Sequence, residues 1–138
     1  MLETGNHFLS LIMIHVSQTE LILPVPVFIL EDDAIMQQRL KRILLEIGYA
    51  EDALIFAQTL SQAIDMLQQY PISLSLVDLG LPDGNGIDFI ENLRQTDEVS
   101  PILVISAWST QETILKAIQA GATGYLLKER DDFEIMLS

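Results

Sequence analysis

The chain contains no cysteine. That absence removes a disulfide framework, cysteine-ligated zinc, iron–sulfur clusters and thiol catalysis. Histidine is nearly as scarce. Only His7 and His15 occur, both near the N-terminus, so a histidine-based triad or a multi-histidine metal site is not expected. Basic residues are few as well: Lys and Arg total 7 against 20 Asp and Glu, a formal net charge of -13. A surface so poor in cations lacks what counterion release from a phosphate backbone requires, and it has little to offer an anionic membrane. No direct nucleic-acid binding and no membrane attachment by this chain are therefore expected. The apolar run Phe8 to Val16 is too short to span a bilayer as a helix, which takes roughly 20 apolar residues. It also lacks the basic start of a secretory signal, since Glu3 is the only charge before it. A cytoplasmic location follows as the expectation. The remaining chemistry must come from carboxylates, hydroxyls and lysines.

What is present suits one well-buried domain: 138 residues, 49% of them apolar. Met1 to Pro24 reads differently from the rest and is set apart as an N-terminal extension of unknown role. It is either a loosely packed start-site segment or a cover for an apolar face or a dimer contact. Pro24 and Pro26 punctuate its end.

From Val25 onward, apolar runs alternate with helical patterns. Val25 to Leu30 reads as a strand buried on both faces, followed by Glu31-Asp32-Asp33. A helix follows with Ile35, Met36, Leu40, Ile43, Leu44 and Ile47 on its apolar side, stopped by Gly48. Ala53 to Ala57 is a second strand, and Thr59 or Ser61 caps a helix carrying Leu60, Ile64 and Leu67. Ile72 to Val77 is a third strand, ending at Asp78. The turn-rich loop Leu81-Pro82-Asp83-Gly84-Asn85-Gly86 leads into a short helix with Ile87, Ile90 and Leu93. Pro101 to Ile105 is a fourth strand, ending at Ser106. Thr110 caps a helix with Ile114, Leu115 and Ile118, which Gly121 ends. Thr123 to Leu127 is a fifth strand, followed by Lys128, and Asp131 starts a last helix. Five buried strands alternating with helices predict an α/β fold: an open parallel sheet with helices on both faces.

In such a sheet, ligands collect outside the carboxyl ends of the strands. Glu31 and Asp32, Asp78, Ser106 and Lys128 all stand at those ends. Three carboxylates at close quarters repel one another, and a divalent cation relieves the repulsion. Hard oxygen donors without His or Cys point to magnesium, with manganese as a substitute. Lys128 adds a fixed positive charge, so the site suits a dianionic phosphoryl group shared with the Ser106 hydroxyl. Asp78 is the natural nucleophile, forming an aspartyl phosphate, while Glu31 and Asp32 look like metal holders.

At these positions the chain resembles the receiver domains of two-component response regulators. The resemblance rests on Phe28-Ile29-Leu30-Glu31-Asp32-Asp33, on Leu76-Val77-Asp78-Leu79-Gly80-Leu81-Pro82-Asp83-Gly84, on Ile105-Ser106-Ala107, and on Gly121-Ala122-Thr123-Gly124-Tyr125-Leu126-Leu127-Lys128. It covers residues 25–138. It implies a flavodoxin-like (CheY-like), doubly wound five-stranded parallel sheet of order 2-1-3-4-5, here with a truncated last helix. It implies that Asp78 accepts phosphate from a sensor histidine kinase or phosphotransfer protein. Glu31, Asp32, Asp78 and the Gly80 carbonyl would bind the metal, and Ser106 and Lys128 the phosphoryl group. Ser106 and Tyr125 would form the conformational switch. The register places Asp33 at the loop start, facing solvent. Trp108 and Gly80 would flank the route of a hydrolytic water, Trp108 narrowing it and Gly80 widening it.

The implied protein is a signalling switch, not an enzyme beyond weak self-phosphorylation and self-dephosphorylation. A haloacid dehalogenase-type phosphohydrolase wants Asp-x-Asp, and Gly80 stands where the second acid would be. A flavodoxin-type FMN carrier needs a hydroxyl- and glycine-rich phosphate loop where Glu31-Asp32-Asp33 would repel the phosphate. The remaining rival is a degenerate receiver that binds partners without phosphorylation, against which the full residue set argues. A last helix of about two turns leaves apolar surface for the extension or a second copy, so a homodimer is an open expectation.

Overall fold

The computed structural model describes Ile12 and residues 23–128. Five parallel strands form its sheet: β1 (Val27–Leu30), β2 (Leu54–Ala57), β3 (Leu74–Val77), β6 (Ile102–Ser106) and β7 (Gly124–Leu127). Between β3 and β6 the chain makes a small antiparallel hairpin of β4 (Gly80–Leu81) and β5 (Gly84–Asn85). The sheet order is β2-β1-β3-β6-β7. Counted without the hairpin, that is the expected 2-1-3-4-5. The turn-rich loop after Asp78 was expected as irregular chain. It pairs with itself because Gly80 and Leu81 lie opposite Asn85 and Gly84.

The strands are shorter at their starts than the apolar runs that announced them. Val25, Pro26, Ile72, Ser73 and Pro101 precede the strands, although Ser73 N–H still donates to Pro26 O at 3.1 Å and Ser75 N–H to Pro101 O at 3.0 Å. The second strand is preceded by a 3-10 turn at Glu51–Ala53. The strands alternate strictly across the sheet. Val27, Ile29, Leu74, Leu76, Leu103 and Ile105 face one side, and Phe28, Leu30, Val77, Ile102 and Val104 face the other. Both faces are covered, as an all-parallel sheet requires.

Helix α1 (Ala34–Ile47) covers the first face with Met36, Leu40, Ile43 and Leu44. Helices α2 (Leu60–Leu67), α3 (Gly86–Arg94) and α4 (Gln111–Ala120) belong to the second. There the rings of Phe28 and Phe89 stack with centroids 5.2 Å apart. Truncating either ring would open a cavity worth about 3–5 kcal/mol.

Capping explains the helix boundaries. Asp33, Thr59, Asn85 and Thr110 each accept a hydrogen bond from the first turn of the helix they precede. Gly48 and Gly121 stop α1 and α4 at positive φ, and their N–H groups return to the last helical carbonyls. Of the alternatives Thr59 and Ser61, Thr59 is the cap.

Three expected core assignments are corrected. Ile35 is 80% exposed: the inward position of the first turn of α1 is taken by Met36, and Ile35 lies about 100° around the helix from it. Leu115 and Ile118 are 52% and 44% exposed, and α4 buries only Ala117 fully. Of the N-terminal extension, Ile12 lies fully buried in the cluster under α1, with Leu23 packed against it. Apart from Pro24, the rest of that segment and the helix expected from Asp131 fall outside the described residues. Among the described residues, no helix is long and apolar enough to cross a membrane.

Candidate functional site

The site is built where β1, β3, β6 and β7 end. Two ladder bonds run past the end of β1: Glu31 N–H donates to Ala57 O at 3.0 Å and Asp78 N–H donates to Leu30 O at 2.9 Å. They hold the two acids side by side on adjacent strands. Glu31, Asp32 and Asp78 each offer a carboxylate oxygen, and the three oxygens lie within 4.8 Å of one another. Glu31 and Asp78 are buried, while Asp32 is exposed. The cluster is thus open on the Asp32 side.

Lys128 follows β7 and is tied to β6 by its N–H bond to Ser106 O, 2.7 Å. Its ammonium reaches Glu31 Oε1 at 2.8 Å and Asp78 Oδ2 at 3.2 Å. Four of the five residues that sequence reasoning placed at strand ends, Glu31, Asp32, Asp78 and Lys128, therefore converge, across as many as 97 positions of chain, on one rim. Asp33, as expected, lies outside the cluster: it is exposed and caps α1 through Met36 N–H, 3.1 Å.

Electrostatics follow from this crowding. Burial raises the Glu31 carboxyl from 4.5 to about 7, and the negative charge of Asp78 adds to the rise; the hydrogen bond from Lys128 works against both. Glu31 Oε2 also accepts the Asp33 N–H at 3.0 Å. For Lys128, burial alone would lower the pKa, but its bonds to Glu31 and its proximity to Asp78 outweigh burial and hold it above the usual value. One buried cation thus stands against a buried acid pair plus Asp32, an excess of negative charge that a small divalent ion would neutralise. The donors are oxygens only, the hard ligands that cations such as magnesium and calcium take, so the residues fit a hard divalent ion.

The remaining predicted residues gather at the end of β6. Ser106 is buried, and its Oγ accepts the Trp108 N–H at 3.1 Å. Tyr125, half-buried on β7, donates its hydroxyl to the Trp108 carbonyl at 2.6 Å. Both side chains named as the switch are therefore fastened to one residue, Trp108. Burial raises the Tyr125 pKa, with a further push from Asp78. Trp108 is itself 43% exposed, and its indole lies over Gly80. Sequence reasoning treated Asp83 as a loop feature. In the structure its carboxylate accepts Leu60 N–H at 2.7 Å and Ser61 N–H at 2.9 Å. A contact between positions 23 residues apart leaves no local pattern, so nothing in the sequence announced it.

Comparison with known proteins places this geometry. The family profile described as response regulator receiver domain matches residues 27–137. Among curated proteins, the KDP operon transcriptional regulatory protein KdpE of Escherichia coli is 38% identical over 103 residues, covering 74% of this chain and 44% of KdpE. The transcriptional regulatory protein MalR of Bacillus subtilis is 34% identical over 115 residues, 81% of this chain and 48% of MalR. The chain spans less than half the length of these relatives. Among solved structures, the non-phosphorylated HemR receiver domain of Leptospira biflexa superposes with a TM-score of 0.68 at 27% identity, covering 80% of this chain and 87% of that one. A response regulator protein from Burkholderia pseudomallei, solved with a phosphorylated aspartic acid, calcium ion and citrate, shares the fold. Its TM-score is 0.67 at 24% identity, over 80% of this chain and 63% of that one.

Proposed function

The chain belongs to the response regulator receiver domain family, and from that premise we propose that residues 25–138 are a phosphorylation-dependent switch in which Asp78 is the phosphoacceptor. Residues 1–24 are assigned as an extension outside the switch. One observation carries the reading: the Asp78 carboxylate shares a rim with two further acids within 4.8 Å and takes a 3.2 Å contact from the Lys128 ammonium.

The roles follow from position. An Asp78 carboxylate oxygen attacks the phosphorus of a phosphohistidine on a histidine kinase or phosphotransfer protein. The P–O bond of an acyl phosphate forms as the P–N bond breaks, and the imidazole keeps the electron pair. Lys128 turns from the carboxylates toward the phosphoryl oxygens and offsets their charge. Glu31, Asp32, Asp78 and the Gly80 carbonyl would hold magnesium, or manganese in its place. When bound, the ion supplies compensation for the crowded carboxylates and the incoming dianion.

The switch is read at Trp108. Recruiting the Ser106 hydroxyl to the phosphoryl group takes it from the Trp108 N–H, which loosens the residue whose carbonyl holds Tyr125. A charge change at Asp78 thereby reaches β7 through two hydrogen bonds. α4 and β7 also carry exposed Leu115, Ile118 and Leu127, apolar surface suited to a second copy of the chain. The expected setting is cytoplasmic, with turnover limited to slow self-phosphorylation and self-dephosphorylation.

Incubation with magnesium and acetyl phosphate, read by intact mass, tests this. The expected result is a gain of one phosphoryl group that disappears in Asp78→Asn. No gain in either protein would overturn phosphorylation and leave a receiver that acts through binding alone.

A further inference from the structure

The β4–β5 hairpin begins two residues after Asp78 and contains Gly80. Its base is closed by Gly86 N–H donating to Leu79 O at 2.8 Å, and Asn85 leads directly into α3 as its cap, accepting Ile87 N–H at 2.9 Å. Its tip carries Asp83 and Gly84, and both meet the start of α2. The Asp83 carboxylate takes the Leu60 N–H on Oδ1 and the Ser61 N–H on Oδ2, at 2.7 and 2.9 Å. A β-carbon on Gly84 would lie 2.8 Å from Leu60 Cδ2, so the hairpin tip rests on the same helical turn.

A helix leaves its first N–H groups without intrahelical partners. In α2 these are Leu60, Ser61 and Gln62. Thr59 takes one of them, Gln62, at 3.1 Å. The other two go to a residue from a different part of the chain. Two charge-assisted bonds from one carboxylate fix its orientation as well as its distance. They also hold the Asp83 pKa below the usual carboxylate range, the Ser61 and Leu60 amides being the principal causes. Asp83 is solvent-facing, so burial does not account for its placement.

We propose that Asp83 is a positioning residue: it clamps the hairpin tip to α2 and thereby sets the main chain of Gly80 beside Asp78, so that hairpin and helix move as one body. The metal half of this inference rests on the proposed function of the Asp78 site; the mechanical half does not. Rearrangement at Asp78 is then transmitted to α2 as well as to the Trp108–Tyr125 pair.

Amide hydrogen exchange followed by NMR in wild type and Asp83→Ala tests the mechanical half. Loss of protection at Leu60 and Ser61 is expected from any cap. Coupling predicts in addition that Gly86, whose amide closes the hairpin base, exchanges on the order of tenfold faster, while the Ile29 and Val104 amides keep their protection. An unchanged Gly86 would overturn the proposal and leave a simple cap. Asp83→Asn retains one acceptor oxygen and serves if the alanine variant folds poorly; it should give the same pattern at smaller amplitude, and a wild-type pattern at both Leu60 and Gly86 would count against the clamp.

Magnesium titration, read by Trp108 fluorescence, tests the other half. Removing an orienting group behind a ligand weakens affinity by about tenfold or more, and that is the expected loss in Asp83→Ala. Wild-type affinity in the variant would overturn positioning of Gly80. A wild type that does not respond to magnesium would instead refute the metal reading of the site, and the exchange at Gly86 would then decide the clamp by itself.

Discussion

The indole of Trp108 lies against the main chain of Gly80: a β-carbon built on Gly80 would stand 3.1 Å from Trp108 Cζ2. The largest side chain near the site thus occupies space that the smallest residue leaves open, two positions after Asp78. The ring is held there by its own backbone, with N–H on Ser106 and C=O on Tyr125. Water approaching an acyl phosphate on Asp78 from this side must pass the ring. Trp108→Ala should therefore shorten the lifetime of phosphorylated Asp78, by on the order of tenfold, which corresponds to about 1.4 kcal/mol of barrier. Mass spectrometry of the decay after removal of phosphodonor measures it, and equal lifetimes would reject the shielding role.

Gly86 shows how tightly the Asp78 backbone is enclosed. A β-carbon there would fall 2.3 Å from the carbonyl oxygen of Asp78 and 3.1 Å from both Leu79 Cα and Val77 Cγ1. Backbone cannot rotate aside as a side chain does. Gly86→Ala should destabilise the fold by about 1–3 kcal/mol, the usual range for overpacking, in urea unfolding. Because the displaced atom belongs to Asp78, phosphoryl uptake from acetyl phosphate should fall too. An alanine variant of wild-type stability and uptake would show that the helix start can shift freely.

Much of this architecture was legible because parallel strands buried on both faces read as short apolar runs. Val27–Leu30, Leu74–Val77 and Ile102–Ser106 are wholly buried, and the polar residue after each run had to be a strand end. That single inference brings Glu31, Asp32, Asp78 and Lys128 together from sequence alone. Local chemistry also located the cap at Thr110 and the stops at Gly48 and Gly121, and narrowed the cap of α2 to Thr59 or Ser61. What stayed hidden was relational. A helical stripe does not say how far the sheet extends beneath it, so Ile35, Leu115 and Ile118 were placed inside when they face solvent. Contacts such as Asp83 with Leu60 join segments that share no periodic pattern. The burial of Ile12 beneath α1 likewise depends on where a distant segment comes to rest.

Arg94 provides another such long-range contact, and one open to a direct test. At the end of α3 its guanidinium donates to Gly121 O through Nε at 3.0 Å and Nη2 at 2.9 Å, and to Asp97 O through Nη1 at 2.9 Å. It straps the end of α4, and hence the entry to β7, onto α3. Its stem also lies where a Gly121 side chain would be, since a β-carbon there would approach Arg94 Cγ to 2.5 Å. Arg94→Ala should cost about 2 kcal/mol in urea unfolding, from partly buried charge-assisted bonds that are lost together. Arg94→Lys should recover little, because an ammonium cannot span both carbonyls as the planar fork does. Full recovery by lysine would show that charge alone matters there.

Tyr49 offers a pH test remote from the acidic rim. It is buried under α1, and its hydroxyl donates to Pro24 O at 2.9 Å, anchoring the chain just before β1. Burial raises its pKa from 10.0 to about 12. The unfolded chain gives up this proton first, near pH 10, while the folded chain retains it, so the folded state binds more protons between the two values. Stability from this group is therefore complete below pH 10 and is lost as pH rises toward 12. Tyr49→Phe should cost about 1 kcal/mol at neutral pH, the net worth of a typical hydrogen bond. It should also flatten the alkaline decline relative to wild type, because the variant has no proton to lose at that position. Parallel urea melts from neutral pH to pH 11 would show the two stability curves converging. Curves that stay the same distance apart across that interval would mean that the hydroxyl titrates alike in both states, and that the buried bond to Pro24 does not hold its proton.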